Sequence, residues 1–404
     1  MPEQLRQEKF QATTRSRNIE YAIRDIVIHA KKLGSDVLYL NIGDPVKFGF
    51  NTPKHIKDAL ISAVESNANY YTDSEGLPQL REAIASREKR LNSCAIEKDD
   101  VIVTNGVSEG ISMLMGSLVE TGDEILVPGP SYQPYISYIK FFGGVPVEYK
   151  TDESNGWKPD TSDLRAKISN KTKAILVISP NNPTGACYDE PTLREIVSIA
   201  QENKLLILSD EIYDEIIYEK HAQSISAVSE DAPLIGLNGF SKSSLITGWR
   251  LGYLYFKSKN GVLEELKESV AKQARIRLCA NAPVQMAALA ALEGPKDHVE
   301  NMVQELRRRR DYSLKRIDSI EGIHSEKPGG AFYLFPQIEN LEKKWKSDTE
   351  FVLDFLRTEA VLLVPGSGFG KMYGSGHFRM IFLPPVDTLS TAFDRLEDFM
   401  SKRR

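Results

Sequence analysis

Seven short apolar runs, at residues 101–104, 124–127, 146–149, 174–178, 205–209, 234–237 and 252–256, alternate with longer helical patterns such as 108–118 and 193–202. Several of these runs are apolar at every position instead of every second one. A strand with that pattern is buried on both faces, which needs helices on either side of a sheet. The alternation therefore predicts an α/β fold built on a mostly parallel seven-stranded sheet covered by helices.

The two ends of the chain have a different character. Residues 1–40 read as a polar helix leading into 37–42. Beyond residue 283 a charged helix at 296–320 precedes a strand-like 330–335, a helix at 349–358, a strand at 361–364, a strand-like 378–382 and a last helix. The expected division is an N-terminal segment 1–45 belonging to a smaller α+β lobe, a large domain 46–290, and a small C-terminal domain 291–404.

Composition removes several function classes. A net charge of -5 over 404 residues gives no reason to expect nucleic-acid binding. The one dense basic run, Arg307, Arg308, Arg309 and Arg310, has Glu305 and Asp311 beside it and reads as a solvated helix face. Cys94, Cys187 and Cys279 are far apart, and no HExxH spacing exists, so no metal is expected. No apolar run approaches the roughly 20 residues of a membrane span. Residues 1–9 are polar without a signal-like core, and the low, odd cysteine count fits a reducing compartment, so the protein is read as cytoplasmic.

The chemistry is concentrated in turns that follow strands. Lys242 stands between Ser241 and Ser243 after the run 234–237, with Arg250 two helical turns on. A lysine among small residues at a strand end has little packing value and belongs at a solvated surface. Its functional reading is a Schiff-base amine, with hydroxyls and a guanidinium to hold a phosphate, as pyridoxal 5'-phosphate (PLP) requires. The other turns are Asn105-Gly106-Val107-Ser108, Ser179-Pro180-Asn181-Asn182-Pro183-Thr184-Gly185 and Asp210-Glu211-Ile212-Tyr213. Each alone has a bland reading: an N-cap, a plain turn, a capping carboxylate, a core tyrosine. In an open parallel sheet, however, strand carboxyl ends share one crevice, so all four converge. There the N–H groups after Gly106 receive phosphate oxygens and Asp210 faces a cationic ring nitrogen. Arg379, isolated in the apolar run 378–382, is an edge charge or the fork for a substrate carboxylate. Pro365-Gly366-Ser367-Gly368-Phe369-Gly370-Lys371 lacks the Walker spacing, and Met372 follows its lysine.

With these residues placed, the chain resembles the class I/II aminotransferases of PLP fold type I from residue 40 to 399. The motifs are Asn41-Ile42-Gly43-Asp44-Pro45, Tyr71 through Arg81, Asn181-Asn182-Pro183-Thr184-Gly185, Ser209-Asp210-Glu211-Ile212-Tyr213, Ser241-Lys242 through Trp249-Arg250, and Phe378-Arg379. Gly129-Pro130-Ser131-Tyr132 and Arg275-Ile276-Arg277-Leu278-Cys279 look most like the alanine aminotransferase branch.

The resemblance implies that Lys242 holds PLP and moves the proton, Asp210 pairs with the ring nitrogen, and Asn182 and Tyr213 bond its phenolate oxygen. It implies that Tyr132 stacks on the ring, and that Gly106, Val107, Ser108, Ser241 and Arg250 hold the phosphate. Arg379 would grip the substrate α-carboxylate, helped by Asn182 and the Gly43 backbone. Tyr71 would reach the neighbouring subunit's PLP, which makes a homodimer the expected unit.

Many relatives carry a serine where Gly239 stands, so Ser243, backbone or water is expected to replace that hydroxyl. Arg277 or Arg275 is the candidate for a distal carboxylate, against an equal reading as helix-surface arginine. The implied reaction is ping-pong transamination of L-alanine and 2-oxoglutarate. The alternatives are an aspartate, aromatic or branched-chain donor, a PLP-dependent lyase, and a PLP-sensing regulator, for which residues 1–40 leave no room for a DNA-binding module.

Overall fold

The structure, a computed structural model, describes residues 10–17, 19, 21–34, 36–219 and 223–403. Residues 1–9, on which the reading of the N-terminus rests, lie outside the described residues.

The central sheet comprises β1 (Val101–Thr104), β2 (Glu124–Gly129), β3 (Val145–Asp152), β4 (Lys158–Pro159), β5 (Thr172–Ile178), β6 (Leu206–Asp210), β7 (Leu234–Gly239) and β8 (Gly252–Lys257). Their order across the sheet is β1-β8-β7-β6-β5-β2-β3-β4. The strands β7, β6, β5, β2 and β3 run parallel, and β8 lies antiparallel to both its neighbours. All seven expected strands are present. The eighth, β4, is a two-residue antiparallel pairing at the edge, too short to leave a periodic signal.

Alternate side chains of each strand enter different cores. Val101, Val103, Ile175, Val177 and Ile207 join one cluster. Ile102, Ala174, Leu176, Leu206 and Leu208 join the other. The period of two thus delivers apolar side chains to both faces. Each fully buried Val, Leu or Ile contributes about 1.5–3 kcal/mol relative to exposure, which is why the runs are apolar throughout.

A third cluster lies in the C-terminal part, with Leu40, Phe332, Phe351, Phe378 and Phe399 among its buried residues. Residues 361–364 do not form one strand. Val361–Leu362 pairs in parallel with Leu38–Tyr39, and Val364–Pro365 pairs antiparallel with Phe378–Ile381. One segment therefore joins the N-terminal region to the strand carrying Arg379. The strand-like 330–335 shortens to Tyr333–Leu334, because Gly330 bridges to Ile217 and Ala331 takes a φ of 54°.

Two expectations need correction. Among the described residues, the N-terminal region is not one polar helix but three one-turn pieces, Thr14–Arg17, Ala22–Asp25 and Val27–Ala30. Tertiary partners take backbone groups that a continuous helix would use: Ala22 N donates to Gln133 Oε1 at 2.7 Å, and Asn41 Nδ2 donates to the Ile23 carbonyl.

The basic run is only half solvated. Within the helix Asp297–Asp318, Arg309 and Arg310 are buried. Arg310 bonds Glu219 and the Pro328 carbonyl and covers the Tyr218 ring, while Arg309 bonds Glu305 and covers Phe50. Arg310 has all three fork nitrogens in use and Arg309 two. Such buried arginines are packing elements, and an adjacent-residue charge count cannot separate them from exposed ones. Among the described residues, no helix is long and apolar enough to cross a membrane, and no group of three or more His, Cys, Asp or Glu side chains could hold a metal ion.

Candidate active site

The carboxyl ends of β1, β5, β6 and β7 share one rim. Because β8 is antiparallel, its start lies on that rim too: Gly252 is opposite both Thr104 and Gly239. This places Arg250, two residues before Gly252, against the turn after β1. A Cβ on Gly106 would sit 2.4 Å from Arg250 Nη2, and Gly106 has a φ of +80°. Only glycine permits both the backbone angle and the close guanidinium. The result is a cation above the N-terminus of the helix Val107–Leu118, whose free N–H groups attract an anion. Val107, Ser108, Ser241, Thr247 and Arg250 line this end of a cavity of about 530 Å³. The turn is braced from behind: Asn105 N donates to Glu109 Oε2 at 2.6 Å, and Arg277 Nη1 reaches the same oxygen at 2.7 Å.

Asp210 ends β6 and is buried. The Tyr135 hydroxyl donates to its Oδ2 at 2.7 Å, and Ile212 N donates to Oδ1 at 3.1 Å. Burial pushes its carboxyl up to about 6 despite those bonds and nearby Lys242. A buried carboxylate whose burial is so poorly compensated favours a cationic partner. Tyr132 lines the cavity beside it, with its hydroxyl 3.4 Å from that of Tyr21.

Lys242 Nζ donates to the Gly43 carbonyl at 2.7 Å and stands 5.6 Å above the Phe332 ring and 5.9 Å above the Tyr213 ring. Burial lowers the amine to about 8; Arg250, Arg379 and Arg24 pull the same way, and Asp44 opposes them. An amine so held loses its proton readily, as a Schiff-base nucleophile must.

Arg379 also lines the cavity and is 1% exposed. Its Nη1 donates to Asn182 Oδ1 at 2.8 Å and its Nη2 to the Asn41 carbonyl. Its Nε is buried with no partner. The Tyr333 and Phe369 rings lie 4.5 and 4.8 Å from the guanidinium carbon. Tyr213 and Tyr333 share a hydroxyl contact of 2.7 Å.

The model of aminotransferase class I and II matches residues 35–396. The chain belongs to that family. It is 36% identical to the alanine aminotransferase of Mycobacterium tuberculosis, over 99% of this chain and 94% of that protein. It is 38% identical to the glutamate-pyruvate aminotransferase AlaA of Escherichia coli, over 95% and 96% respectively. Among solved structures, the alanine aminotransferase of Pyrococcus furiosus superposes with a TM-score of 0.95 at 52% identity, covering 97% of this chain and all of that one.

The cofactor of this family is PLP, and the aminotransferase's residues fit it. The Gly106 turn with Arg250 matches a phosphate, the buried Asp210 a pyridinium nitrogen, and the amine of Lys242 an aldehyde. Asn182, with Oδ1 on Arg379, has its amide nitrogen left as a donor. The Gly43 carbonyl is taken by Lys242, so its backbone can help a carboxylate only through N–H.

Three expected cofactor residues do not line the cavity: Gly106, which lies against the Arg250 guanidinium, Ser243 and Tyr71. Ser243 does not line it; its hydroxyl faces Glu215 and its carbonyl meets His298. Ser241 and Lys242 line the cavity, whereas the Ser243 side chain is held away from it by its bond to Glu215. Tyr71 is 78% exposed and stands outside the cavity of its own chain.

The two distal-carboxylate candidates are also engaged elsewhere. Arg277 braces Glu109 and the Ser74 carbonyl, and Arg275 pairs with Glu268 and Glu75. Sequence reasoning missed Tyr135, Tyr333, Tyr21 and Arg24. Tyr135 and Tyr333 look like ordinary core aromatics, and Tyr21 and Arg24 sit in a stretch read as a polar helix. Only the match Asn41-Ile42-Gly43 beside that helix hinted that it approaches the site.

Proposed function

We propose that this aminotransferase moves the amino group of L-alanine to 2-oxoglutarate, yielding pyruvate and L-glutamate in two half-reactions. The observation that carries an amino-acid substrate is Arg379, a buried fork whose Nε has no protein partner while both terminal nitrogens are fixed. A planar carboxylate completes such a fork.

When bound, PLP supplies the electron sink for the bond to the Cα proton. The protein's residues do the rest. Arg379 orients the α-carboxylate. Lys242 Nζ, as a neutral amine, would take the Cα proton and return it at the cofactor's C4' carbon, two bonds away. Asp210, its carboxylate held by Tyr135, would pair with the ring nitrogen. Arg250 and the helix N-terminus would hold the phosphate.

For the distal carboxylate of glutamate we assign Arg24. It lines the cavity from the N-terminal segment and lies close enough to lower the Lys242 amine. No ion pair or hydrogen bond engages its side chain among the described residues, in contrast to Arg275 and Arg277. We further infer a homodimer in which Tyr71 serves the other subunit. Exposed Tyr70, Tyr71, Ile276 and Leu278 supply apolar surface on that side. The three unpaired cysteines suit a cytoplasmic setting.

The test is a panel of amino donors against 2-oxoglutarate. L-alanine should give the highest kcat/KM, and a preference for aspartate or an aromatic donor would replace the assignment.

A further inference from the structure

Behind the lysine turn, outside the cavity, lies a largely buried charge cluster: Glu88 and Arg87 are buried, and Asp214 and Glu215 are only slightly exposed. Asp214 follows the Asp210-to-Tyr213 turn directly. Its Oδ2 accepts from Asn238 Nδ2 at 2.9 Å, and Asn238 Oδ1 accepts from the Gly239 N–H at 2.7 Å. Asn238 is thus bonded at both ends of its amide, one to the Asp210 turn and one to the backbone leading into Lys242. Asp214 is itself fixed. Arg87 Nη2 donates to its two oxygens at 2.9 and 2.8 Å and to Glu215 at 3.1 Å, while Arg87 Nη1 donates to Glu88 at 2.6 Å. On the other side of Lys242, Glu215 faces the Ser243 hydroxyl, and His298 Nε2 lies 3.1 Å from the Ser243 carbonyl. One cluster therefore grips the chain both before and after Lys242.

We propose that Asp214, acting through Asn238 and held by Arg87, is a positioning residue that fixes Lys242 relative to Asp210. The inference rests on the aminotransferase reading, since it concerns where the amine sits. Stability is a poor reason for the cluster: removing charges from water is costly, and apolar residues of equal volume commonly do as well or better. Geometry is a better one. Lys242 must reach both Cα and C4', two bonds apart, and an error of about 1 Å in such a group can cost roughly a hundredfold in rate. The Asp210 turn and the lysine turn are adjacent strand ends, and β6–β7 pairing and this cluster both bear on their spacing.

The test uses the PLP-loaded enzyme with Asn238→Ala and Asn238→Asp. Asn238→Ala removes both bonds. Its kcat for the alanine half-reaction should fall about tenfold to a hundredfold, with KM for alanine within twofold because Arg379 is untouched. The absorbance titration of the Lys242–cofactor Schiff base should move relative to the parent chain.

Asn238→Asp keeps the shape, but its carboxyl donates to Asp214 only when protonated. Its kcat deficit relative to the parent should therefore shrink as the pH is lowered. A parental titration and kcat in both variants would overturn the proposal, as would a loss confined to melting temperature. A pH-independent deficit in Asn238→Asp would overturn it as well, and so would weaker PLP binding with normal kcat at saturating cofactor. Failure of the transamination reading itself would instead show in the unmodified chain.

Discussion

Arg379 Nη1 donates to Asn182 Oδ1 at 2.8 Å across 197 positions of sequence. The bond aligns the guanidinium plane, and the aromatic rings of Tyr333 and Phe369 hold it there. Lysine at this position keeps the charge but loses the fork. Arg379→Lys should lower kcat/KM for every amino donor by about 2–5 kcal/mol, the cost of breaking a buried charged pair. Steady-state kinetics with two unrelated donors checks it. A loss for one donor only would mean that Arg379 reads the side chain instead.

Tyr135 supports Asp210 at 2.7 Å. Tyr135→Phe removes one hydrogen bond to a charged group and should lower kcat by about 1.5–3 kcal/mol. Asp210→Asn removes the charge itself and should cost at least as much as a lost preorganised electrostatic partner, on the order of 10²–10³. The ordering of the two variants is the measurement; equal losses would place Tyr135 in a role of its own.

Arg24→Gln separates the two substrates of the proposed reaction. KM for L-glutamate and 2-oxoglutarate should rise about tenfold to a hundredfold, the range of one lost charged hydrogen bond. KM for L-alanine and pyruvate should stay within twofold. A uniform rise for all four would show that Arg24 supports the site without reading the distal group.

Glu211 is buried beside Glu88 and Asp214. Burial first, and those charges second, push its carboxyl up to about 8. The unfolded chain releases that proton near 4.3, so between about 4.3 and 8 the folded state holds the extra proton. Stability from this group is thus lost as pH rises through that window. Glu211→Gln cannot titrate. The drop in melting temperature between pH 5 and pH 8 should be smaller in Glu211→Gln than in the parent. An equal drop would mean that Glu211 is ionised throughout.

The sheet was legible because burial on both faces leaves an unmistakable apolar run, and the four turns were legible because parallel strands end on one rim. What stayed hidden depends on packing between distant elements. Ser243 reads as a phosphate hydroxyl from its place beside Lys242, but the turn aims it at Glu215. Arg277 reads as a substrate group, but its Glu109 partner stands far off in the chain. Arg309 and Arg310 read as solvated until the helix is seated against Phe50 and Tyr218. Arg24 was lost because its segment is folded by Gln133 and Asn41, not by its own periodicity.

The most direct measurement is the half-reaction of the PLP-loaded enzyme with L-alanine and no 2-oxoacid. The account predicts that the Schiff-base absorbance of Lys242 is replaced by that of pyridoxamine phosphate, with one pyruvate formed per active site and no ammonia. Repeated turnover with release of ammonia, or full conversion in Lys242→Ala, would contradict it.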